Sequence, residues 1–265
     1  MPTIFVINLE RSPERLESSQ QQLAEQGLSF ERINAIDGAM LTAAQINSHY
    51  NAELNKQNYH YPLSPGQIGC YLSHRKAWQT IVDRQLDYAI VLEDDFILKD
   101  DLSHTITNIE QLPVDWQIIK LSAYQNRTRP IAYQFPLQHQ QHLVIHKKLM
   151  TGCCASAISY HGAKQLLAAT TMFGRPVDCD LQHIWETKVA GYSLLPYPFA
   201  QNCEQVSDIK SRSAVRVKKS FFARKAQQLT SAIHNHFATA AFIKEAKYSF
   251  HTPKNKKGAT APFYT

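Results

Sequence analysis

The sequence lacks three features that would place it in a familiar class of protein: long apolar runs, paired cysteines and a leader-like start. No run approaches the roughly 18 consecutive apolar residues of a membrane span. The five cysteines form no C-x-x-C pair and the twelve histidines no H-E-x-x-H motif, which argues against a disulfide framework or a zinc site. No basic segment precedes the first apolar run, so we expect no signal peptide and a cytoplasmic protein.

Acidic residues are nearly missing from the last part of the chain. Residues 209–265 hold twelve lysines and arginines but one acidic residue, Glu245, whereas residues 1–208 hold sixteen basic and twenty-one acidic residues. We therefore divide the chain into a main domain over residues 1–208 and a basic, partly helical extension over residues 209–265. The hydrophobic content of 44% is enough for a sizeable core in the main domain.

The charge of the extension predicts an anionic partner. Phe222, Ala226, Leu229, Ile233 and Phe237 recur at helical spacing behind a basic start, which is typical of an amphipathic helix lying on an anionic membrane. Two alternatives stay open: a charged extension without a fixed structure, and a helix packed on the main domain. Nucleic acid is not an expected partner, because no recognised binding module accompanies the charge.

The main domain alternates strand-like and helix-like segments. Residues 3–9 form a continuous apolar run, a helix is expected to open at Ser12 and Pro13, and a second short strand follows at residues 30–33. A capping-box pattern at Ser64 opens a long helix before the next buried strand, whereas residues 122–141 are loop-like. This alternation predicts an α/β fold with a mostly parallel sheet, whose ligands bind beyond the carboxyl ends of the strands.

Three consecutive carboxylates end the buried strand at residues 88–92. Glu93, Asp94 and Asp95 repel one another by about 1 kcal/mol per pair even in water, and a cation between them would relieve that repulsion. Mg²⁺ and Mn²⁺ prefer carboxylate oxygens and keep positions open for substrate phosphate, so a divalent metal is the expected cofactor. The alternative is an acidic turn exposed to solvent.

Several short motifs surround this triplet in a fixed order. They are Val6-Ile7-Asn8-Leu9, Ala35-Ile36-Asp37-Gly38, Ser64-Pro65-Gly66-Gln67-Ile68-Gly69-Cys70-Tyr71-Leu72-Ser73-His74, Tyr88-Ala89-Ile90-Val91-Leu92-Glu93-Asp94-Asp95, Thr151-Gly152 and Pro176-Val177-Asp178. Together they resemble the bacterial family 25 glycosyltransferases of lipooligosaccharide biosynthesis, over roughly residues 3–208. Several motifs in order are more specific than any one of them alone.

The resemblance implies a GT-A-like nucleotide-sugar fold and an activity. The expected reaction is inverting transfer of a hexose, galactose first, from a UDP-sugar to a lipooligosaccharide acceptor. The triplet stands where GT-A enzymes carry a metal-binding D-x-D motif, but its first residue is Glu93. Asp95 is therefore the first expected metal ligand and Asp94 the second. The resemblance also implies contacts to the nucleotide-sugar donor, from Asn8, Leu9, Arg11, Asp37, Ser73, His74, Glu93 and Asp94.

Inversion in one displacement needs a base that removes the proton of the acceptor hydroxyl. Asp178 is the first candidate, with Asp180 second and His183 also considered; the alternative for Asp178 is an ordinary helix N-cap. Two other classes of function stay open, a metal-dependent phosphotransferase and a non-catalytic nucleotide- or sugar-binding module. Assembly of lipooligosaccharide would place the enzyme in the cytoplasm, peripheral to the inner face of the bacterial inner membrane.

Overall fold

The computed structural model describes residues 1–124, 129–202 and 221–252, and an eight-stranded sheet lies at their centre. A two-stranded ribbon of β4 (Phe96–Leu98) and β10 (Phe199–Gln201) stands beside it. The sheet strands are β1 (Thr3–Asn8), β2 (Glu31–Asn34), β3 (Tyr88–Glu93), β5 (Ile118–Lys120), β6 (Ile131–Pro136), β7 (His142–His146), β8 (Ala155–Ser159) and β9 (Gly191–Leu195).

The strand order is β2-β1-β3-β8-β5-β9-β7-β6. Pairing is parallel between β2, β1 and β3 and between β5 and β9, while β8 and β7 are antiparallel to both of their neighbours. Six of the eight strands therefore point the same way, which confirms a mixed α/β fold with a mostly parallel sheet. Strands β1 and β3 end side by side, with Ile7 opposite Glu93.

Helices cover both faces of the sheet. The capping box at Ser64 is confirmed: Gln67 N donates to Ser64 Oγ at 3.3 Å, and Ser64 N donates to Gln67 Oε1 at 3.0 Å. The helices are α1 (Pro13–Ala24), α2 (Ala43–Asn47), α3 (Ala52–Asn58), α4 (Pro65–Asp83), α5 (Leu102–Glu110), α6 (Tyr160–Ala169), α7 (Val177–Asp180), α8 (Ile184–Thr187) and α9 (Phe221–His251).

Strand β1 shows how the sheet divides the core into two layers. Ile4 and Val6 face one layer, while Phe5 and Ile7 face the other, because successive side chains of a strand point to opposite faces. Helix α4 packs on the second layer through Tyr71 and other apolar side chains. All four β1 side chains are at most 7% exposed, so β1 is buried on both faces, as its continuous apolar run predicts.

Helix α9 packs on the main domain, one of the two alternatives that the sequence left open. Phe242 packs against Tyr192 with the rings tilted and 4.8 Å between their centroids, and Phe250 stacks on Phe135 at 4.1 Å. Phe242 and Ala246 belong to the first core layer. Among the described helices, none combines the length and apolarity that crossing a membrane requires. Residues 203–220 and 253–265 of the predicted extension lie outside the described residues.

Candidate active site

Asn8 joins the end of β1 to the acidic triplet at the end of β3. Its amide Nδ2 donates to Asp94 Oδ2 at 2.6 Å and to the carbonyl of Ser12 at 2.9 Å. Its Oδ1 accepts from Arg32 Nε at 3.1 Å, and the whole residue is 1% exposed. Asn8 is thus one of the predicted donor-binding residues that the structure brings to the triplet, and its polar atoms organise the strand ends.

Asn8 and Arg15 both hold the Asp94 carboxylate. Beside the bond from Asn8, Arg15 Nη2 lies 2.5 Å from Asp94 Oδ1. The two side chains are 17% and 9% exposed, so the ion pair is screened little by solvent. Both carboxylate oxygens of Asp94 are therefore engaged within the protein, and a metal at Asp94 would compete with Arg15.

Asp95 offers a carboxylate oxygen that the described residues leave unused. Its Oδ2 accepts from Gln201 Nε2 at 2.8 Å and lies 3.9 Å from Arg15 Nη2. Its Oδ1 is buried and has no hydrogen-bond partner in the described part of the chain. Burial, reinforced by the charge of Glu93, raises the pKa of Asp95 to about 6. A buried, unpaired carboxylate oxygen fits a divalent cation, so the residues present suit the expected cofactor.

Glu93 forms a hydrogen-bonded triad with His74 and Cys70. Its Oε1 lies 2.9 Å from His74 Nε2 and accepts from Cys70 Sγ at 3.6 Å. Burial opposes ionisation, but the contact with His74 and the charge of Lys120 outweigh it and lower the pKa of Glu93. The ligand atoms lie within 4.8 Å of one another, a spacing that suits a metal. Burial raises the pKa of the Cys70 thiol well above its usual value, however, and a neutral thiol is a poor ligand.

A cleft of about 320 Å³ opens at the carboxyl ends of β1 and β2. Leu9, Arg11 and Asp37, three of the predicted donor-binding residues, line it. Arg11 forms an ion pair with Asp37, whose Oδ1 also accepts from Ala39 N at 3.1 Å. The volume is within the range of small-molecule sites. The structure therefore brings these three residues together at the edge where a ligand is expected.

Gly38, next to Asp37, shows why a glycine occupies this motif. A Cβ at this position would lie 1.7 Å from the carbonyl oxygen of Pro65 in the first turn of α4.

Ser73, further along α4, ties the same helix to the loop after β2. Its Oγ accepts from Ile36 N at 2.8 Å and donates to the carbonyl of Gly69 at 2.7 Å. Both bonds of Ser73 lie inside the fold, so the structure gives this predicted donor contact a packing role.

Asp178 lies on α7 and is half-buried. Its Oδ2 accepts from the backbone N–H of Gly152 at 3.2 Å. The N-cap of α7 is Pro176, and Asp178 stands in the first turn, so the interpretation of Asp178 as an N-cap is wrong. The side chain is therefore not committed to capping its own helix.

Asp180 stands in a buried polar cluster. Arg175 Nε lies 2.5 Å from its Oδ1, and the hydroxyl of Tyr71 donates to its Oδ2 at 2.8 Å. Burial raises its pKa against the opposing charge of Arg175. With both oxygens held inside the fold, Asp180 is poorly placed to receive a proton from a substrate.

His183, the other residue considered as a base, is also held by the protein. Its Nδ1 lies 2.7 Å from the carbonyl of Cys179, and its Nε2 lies 3.2 Å from Ser231 Oγ on α9. Burial, with the charge of Arg175 next in size, lowers its pKa to about 4. The ring is therefore neutral near neutral pH and links α9 to the segment that carries Asp178.

Lys120 was not predicted from the sequence, and Gly152 was named only as part of a family motif, without a role in the site. Lys120 is fully buried at the end of β5, and its Nζ donates to the carbonyl of Gly152. The signal was available: Lys120 stands between Ile119 and Leu121 in an otherwise apolar strand, and buried lysines are rare unless paired.

Comparison with known proteins gives the chain a set of relatives. The family profile described as glycosyltransferase family 25 (LPS biosynthesis protein) matches residues 1–181. Human procollagen galactosyltransferase 2 is 34% identical over 123 residues, 44% of this chain and 20% of the relative. Procollagen galactosyltransferase 1 of Danio rerio is 30% identical over 173 residues, which are 63% of this chain and 28% of the relative. A Bos taurus protein named probable inactive glycosyltransferase 25 family member 3 is 27% identical over 238 residues. The match covers 79% of this chain and 39% of the relative.

The chain thus spans less than half the length of these curated relatives. Among solved structures, a Drosophila beta-1,4-galactosyltransferase 7 mutant in complex with manganese, UDP-Gal and xylobiose gives a TM-score of 0.37 at 9% identity, covering 83% of this chain and 82% of that one. The galactosyltransferase LgtC, in complex with donor and acceptor sugar analogues, gives a TM-score of 0.37 at 9% identity. The match covers 86% of this chain and 94% of that one. TM-scores this low do not establish a shared fold.

Proposed function

The chain belongs to glycosyltransferase family 25, and on this premise we propose that it is an inverting, metal-dependent galactosyltransferase with a GT-A-like fold. The observation that carries the proposal is the buried, unpaired Oδ1 of Asp95 at the carboxyl edge of the sheet, where the open cleft also lies. An unpaired carboxylate oxygen at the same edge of the sheet as a cleft suits a metal-bound nucleotide-diphosphate donor.

The donor in this proposal is a UDP-sugar bound in the cleft. Arg11 and Asp37 at its wall provide a cation and an acceptor for hydrogen bonds, and Leu9 provides apolar contact. Asp37 would accept a hydrogen bond from the uracil ring. Asn8 and His74 then act behind the cleft, because their polar atoms are bonded to Asp94 and Glu93.

Asp95 would hold the divalent metal, Mn²⁺ or Mg²⁺, through its unpaired Oδ1. Asp94 comes second, since its two oxygens already bind Asn8 and Arg15. When bound, the metal would neutralise charge on the diphosphate as the glycosidic bond breaks. Arg15 provides fixed positive charge beside both carboxylates.

Asp178 is the base of the proposed reaction. The acceptor hydroxyl attacks the anomeric carbon, its proton passes to the Asp178 carboxylate, and UDP leaves from the opposite face with inversion. The Gly152 N–H holds Asp178 Oδ2, while the described contacts leave Oδ1 available for the proton. Asp180 is set aside because Arg175 and Tyr71 hold its two oxygens.

The acceptor in this proposal is the saccharide of a lipooligosaccharide. The description of the family profile includes LPS biosynthesis, which supports this choice, whereas curated relatives are named procollagen galactosyltransferases. Transfer to a lipooligosaccharide core, with a procollagen peptide as the competing acceptor, distinguishes the two. Preference for the peptide would overturn the saccharide proposal and leave the transferase proposal intact.

Helix α9 supports a cytoplasmic enzyme bound at the inner face of the inner membrane. Leu229, Ile233 and Phe237, spaced by four residues, are 65%, 52% and 69% exposed on its outer side. The side chains of Phe222 and Ala226, expected in the same stripe, are outside those described. Residues 209–265 carry twelve basic groups against one acidic group, and basic groups near an anionic bilayer contribute about 1 kcal/mol each.

Vesicle binding tests this part of the proposal. A variant with Leu229, Ile233 and Phe237 all changed to Ser should lose co-sedimentation with anionic vesicles at low salt. It should keep transfer to a short soluble acceptor. Met172→Ser, which removes an exposed apolar side chain from the main domain, is the matched control and should still bind. Undiminished binding of the triple variant would contradict the membrane role of α9.

Turnover of UDP-sugars tests the function itself. The purified protein is incubated with Mn²⁺ and a panel of UDP-sugars, and released UDP is measured with and without saccharide acceptor. We expect UDP-galactose to be turned over and the rate to rise with acceptor. The Bos taurus relative named as probably inactive keeps one competing function open, a non-catalytic sugar-nucleotide-binding module. Binding of a UDP-sugar without turnover of any of them would favour that module.

A further inference from the structure

Lys120 is a fully buried cation at the carboxyl end of a central strand. It lies at 0% exposure in β5, opposite Ser156 of β8 and Ser193 of β9. Burying an ammonium group costs several kcal/mol unless partners compensate for the lost water. Such a residue persists in a fold when the charge has a defined role, so its partners indicate what it does.

Gly152 connects Lys120 to the proposed base. The Nζ of Lys120 donates to the carbonyl of Gly152, and the N–H of Gly152 donates to Asp178 Oδ2 at 3.2 Å. The two peptide groups that flank one glycine therefore link the buried cation to the Asp178 carboxylate. Hydrogen bonds of a charged group are stronger and more directional than neutral ones, so the orientation of this glycine is well defined.

The backbone at Gly152 has a conformation that other residues rarely adopt. Its φ is +89°, and a Cβ built on it would lie 3.3 Å from Cε2 of Tyr124. Glycine adopts this conformation without steric cost, and Tyr124 closes the space beside it. The Gly152 N–H thus points at Asp178 because Lys120 fixes the following carbonyl and Tyr124 limits how the glycine can move.

We propose that Lys120 is a positioning residue, which acts through Gly152 to hold the Asp178 carboxylate where it meets the acceptor hydroxyl. This inference rests on the proposed function, in which Asp178 is the base. Lys120 does not itself contact substrate in this arrangement, since its side chain has no exposed surface. Its charge also acts on Glu93, and the experiment must therefore separate the route through Asp178 from the route through Glu93.

A double-mutant cycle separates the two routes. Single-turnover transfer, with enzyme in excess, is measured for Lys120→Met, Asp178→Asn and the double variant. Lys120→Met keeps the length of the side chain and removes its charge. We expect it to lower the transfer rate 30- to 100-fold and to change UDP-galactose affinity less than threefold, since the base acts on the acceptor side. In the Asp178→Asn background the same change should cost less than threefold, because the group it positions is already gone.

Amide hydrogen exchange gives a readout that does not depend on activity. The Gly152 N–H should exchange at least tenfold faster in Lys120→Met than in the wild type. Lys164→Met removes an exposed lysine from α6 and should change neither exchange nor transfer. Gly152→Ala places a methyl group against Tyr124 and leaves Lys120 in place; it should reproduce the low rate with unchanged donor affinity. This second variant tests the same connection if Lys120→Met does not fold.

The outcomes separate this inference from the proposed function. If Asp178→Asn transfers galactose at the wild-type rate, the base is wrong and the inference falls with it. If Asp178→Asn is impaired but the loss from Lys120→Met adds in full to it, Lys120 acts by another route and only the inference is overturned. Unchanged exchange at Gly152 in Lys120→Met would overturn it as well.

Discussion

Asn8 and Asp94 join the ends of two neighbouring parallel strands through a hydrogen bond of 2.6 Å between Nδ2 and Oδ2. Arg32 fixes the orientation of the Asn8 amide by donating to its Oδ1, so Nδ2 must face Asp94. Arg15 holds the other oxygen of Asp94. These contacts set the backbone from which the next residue, Asp95, presents its unpaired oxygen.

The Arg15–Asp94 ion pair should contribute strongly to stability. Asp94→Asn removes the nearer of the two carboxylates beside the largely buried guanidinium of Arg15, and we expect the free energy of unfolding to fall by about 2–3 kcal/mol. Chemical denaturation measures the change. The matched control is Glu31→Gln, which breaks the half-exposed ion pair with Arg84 and should cost less than about 0.5 kcal/mol. Equal losses for the two variants would show that burial does not strengthen the Asp94 pair.

Two phenylalanines of α9 test whether this helix belongs to the body of the protein. Phe242→Ala should lower the free energy of unfolding by about 3 kcal/mol, because the side chain is 7% exposed and packs on Tyr192. Phe237→Ala, at 69% exposure on the same helix, should change it by less than about 0.5 kcal/mol. Similar small effects for both would mean that α9 does not pack on the main domain in solution.

His183 should make the protein sensitive to mild acid. Its folded pKa of about 4 lies below the unfolded value of 6.5, since burial and the charges of Arg175 and Lys148 outweigh the opposite effect of Glu186. The unfolded chain therefore takes up a proton first as the pH falls. Stability from this residue is complete above pH 6.5 and is lost as the pH falls towards 4, by about 2–3 kcal/mol.

Comparison of stability curves isolates this effect. The free energy of unfolding of the wild type and of His183→Asn is measured from pH 7.5 to 4. As the pH falls, the wild type should lose more stability than the variant does. Parallel curves over that interval would show that His183 titrates alike in the folded and unfolded states.

Asp178 and Asp180, two residues apart, should respond differently to the same substitution. Asp180→Asn leaves Arg175 with one carboxylate fewer in a buried cluster and should lower the free energy of unfolding by about 3 kcal/mol. Asp178→Asn should leave stability within about 1 kcal/mol and should lower the transfer rate by about 10²–10⁴-fold while retaining donor affinity. Thermal denaturation and UDP-galactose binding separate the two. The reverse pattern would make Asp180 the base.

Local pattern was enough to predict the frame of the site. The run of apolar residues in β1, the capping box at Ser64 and the strand before Glu93 are local signals, and each specifies its element without distant contacts. Because parallel strands end at one edge, the order of these elements also predicts where a ligand binds, and Leu9, Arg11 and Asp37, which the family resemblance implies as donor contacts, line a cleft at that edge.

Contacts between distant segments could not be predicted in the same way. Strand β6 arises in a stretch that looks like a loop, because only its pairing with β7 makes it a strand. Packing of α9 depends on Tyr192 and Phe135, which lie far away in the sequence. The same holds for Lys120, whose partner carbonyl is 32 residues along the chain.

The most direct test of the metal-dependent transferase is the binding of UDP-galactose as a function of Mn²⁺. Calorimetry on the wild type should show donor binding that strengthens at least tenfold when Mn²⁺ is added. Asp95→Asn should lose that dependence, because a neutral amide cannot replace the carboxylate oxygen that the fold leaves unpaired. Asp100→Asn, an exposed aspartate five residues on, should behave as wild type. Wild-type binding with full Mn²⁺ dependence in Asp95→Asn would contradict the account.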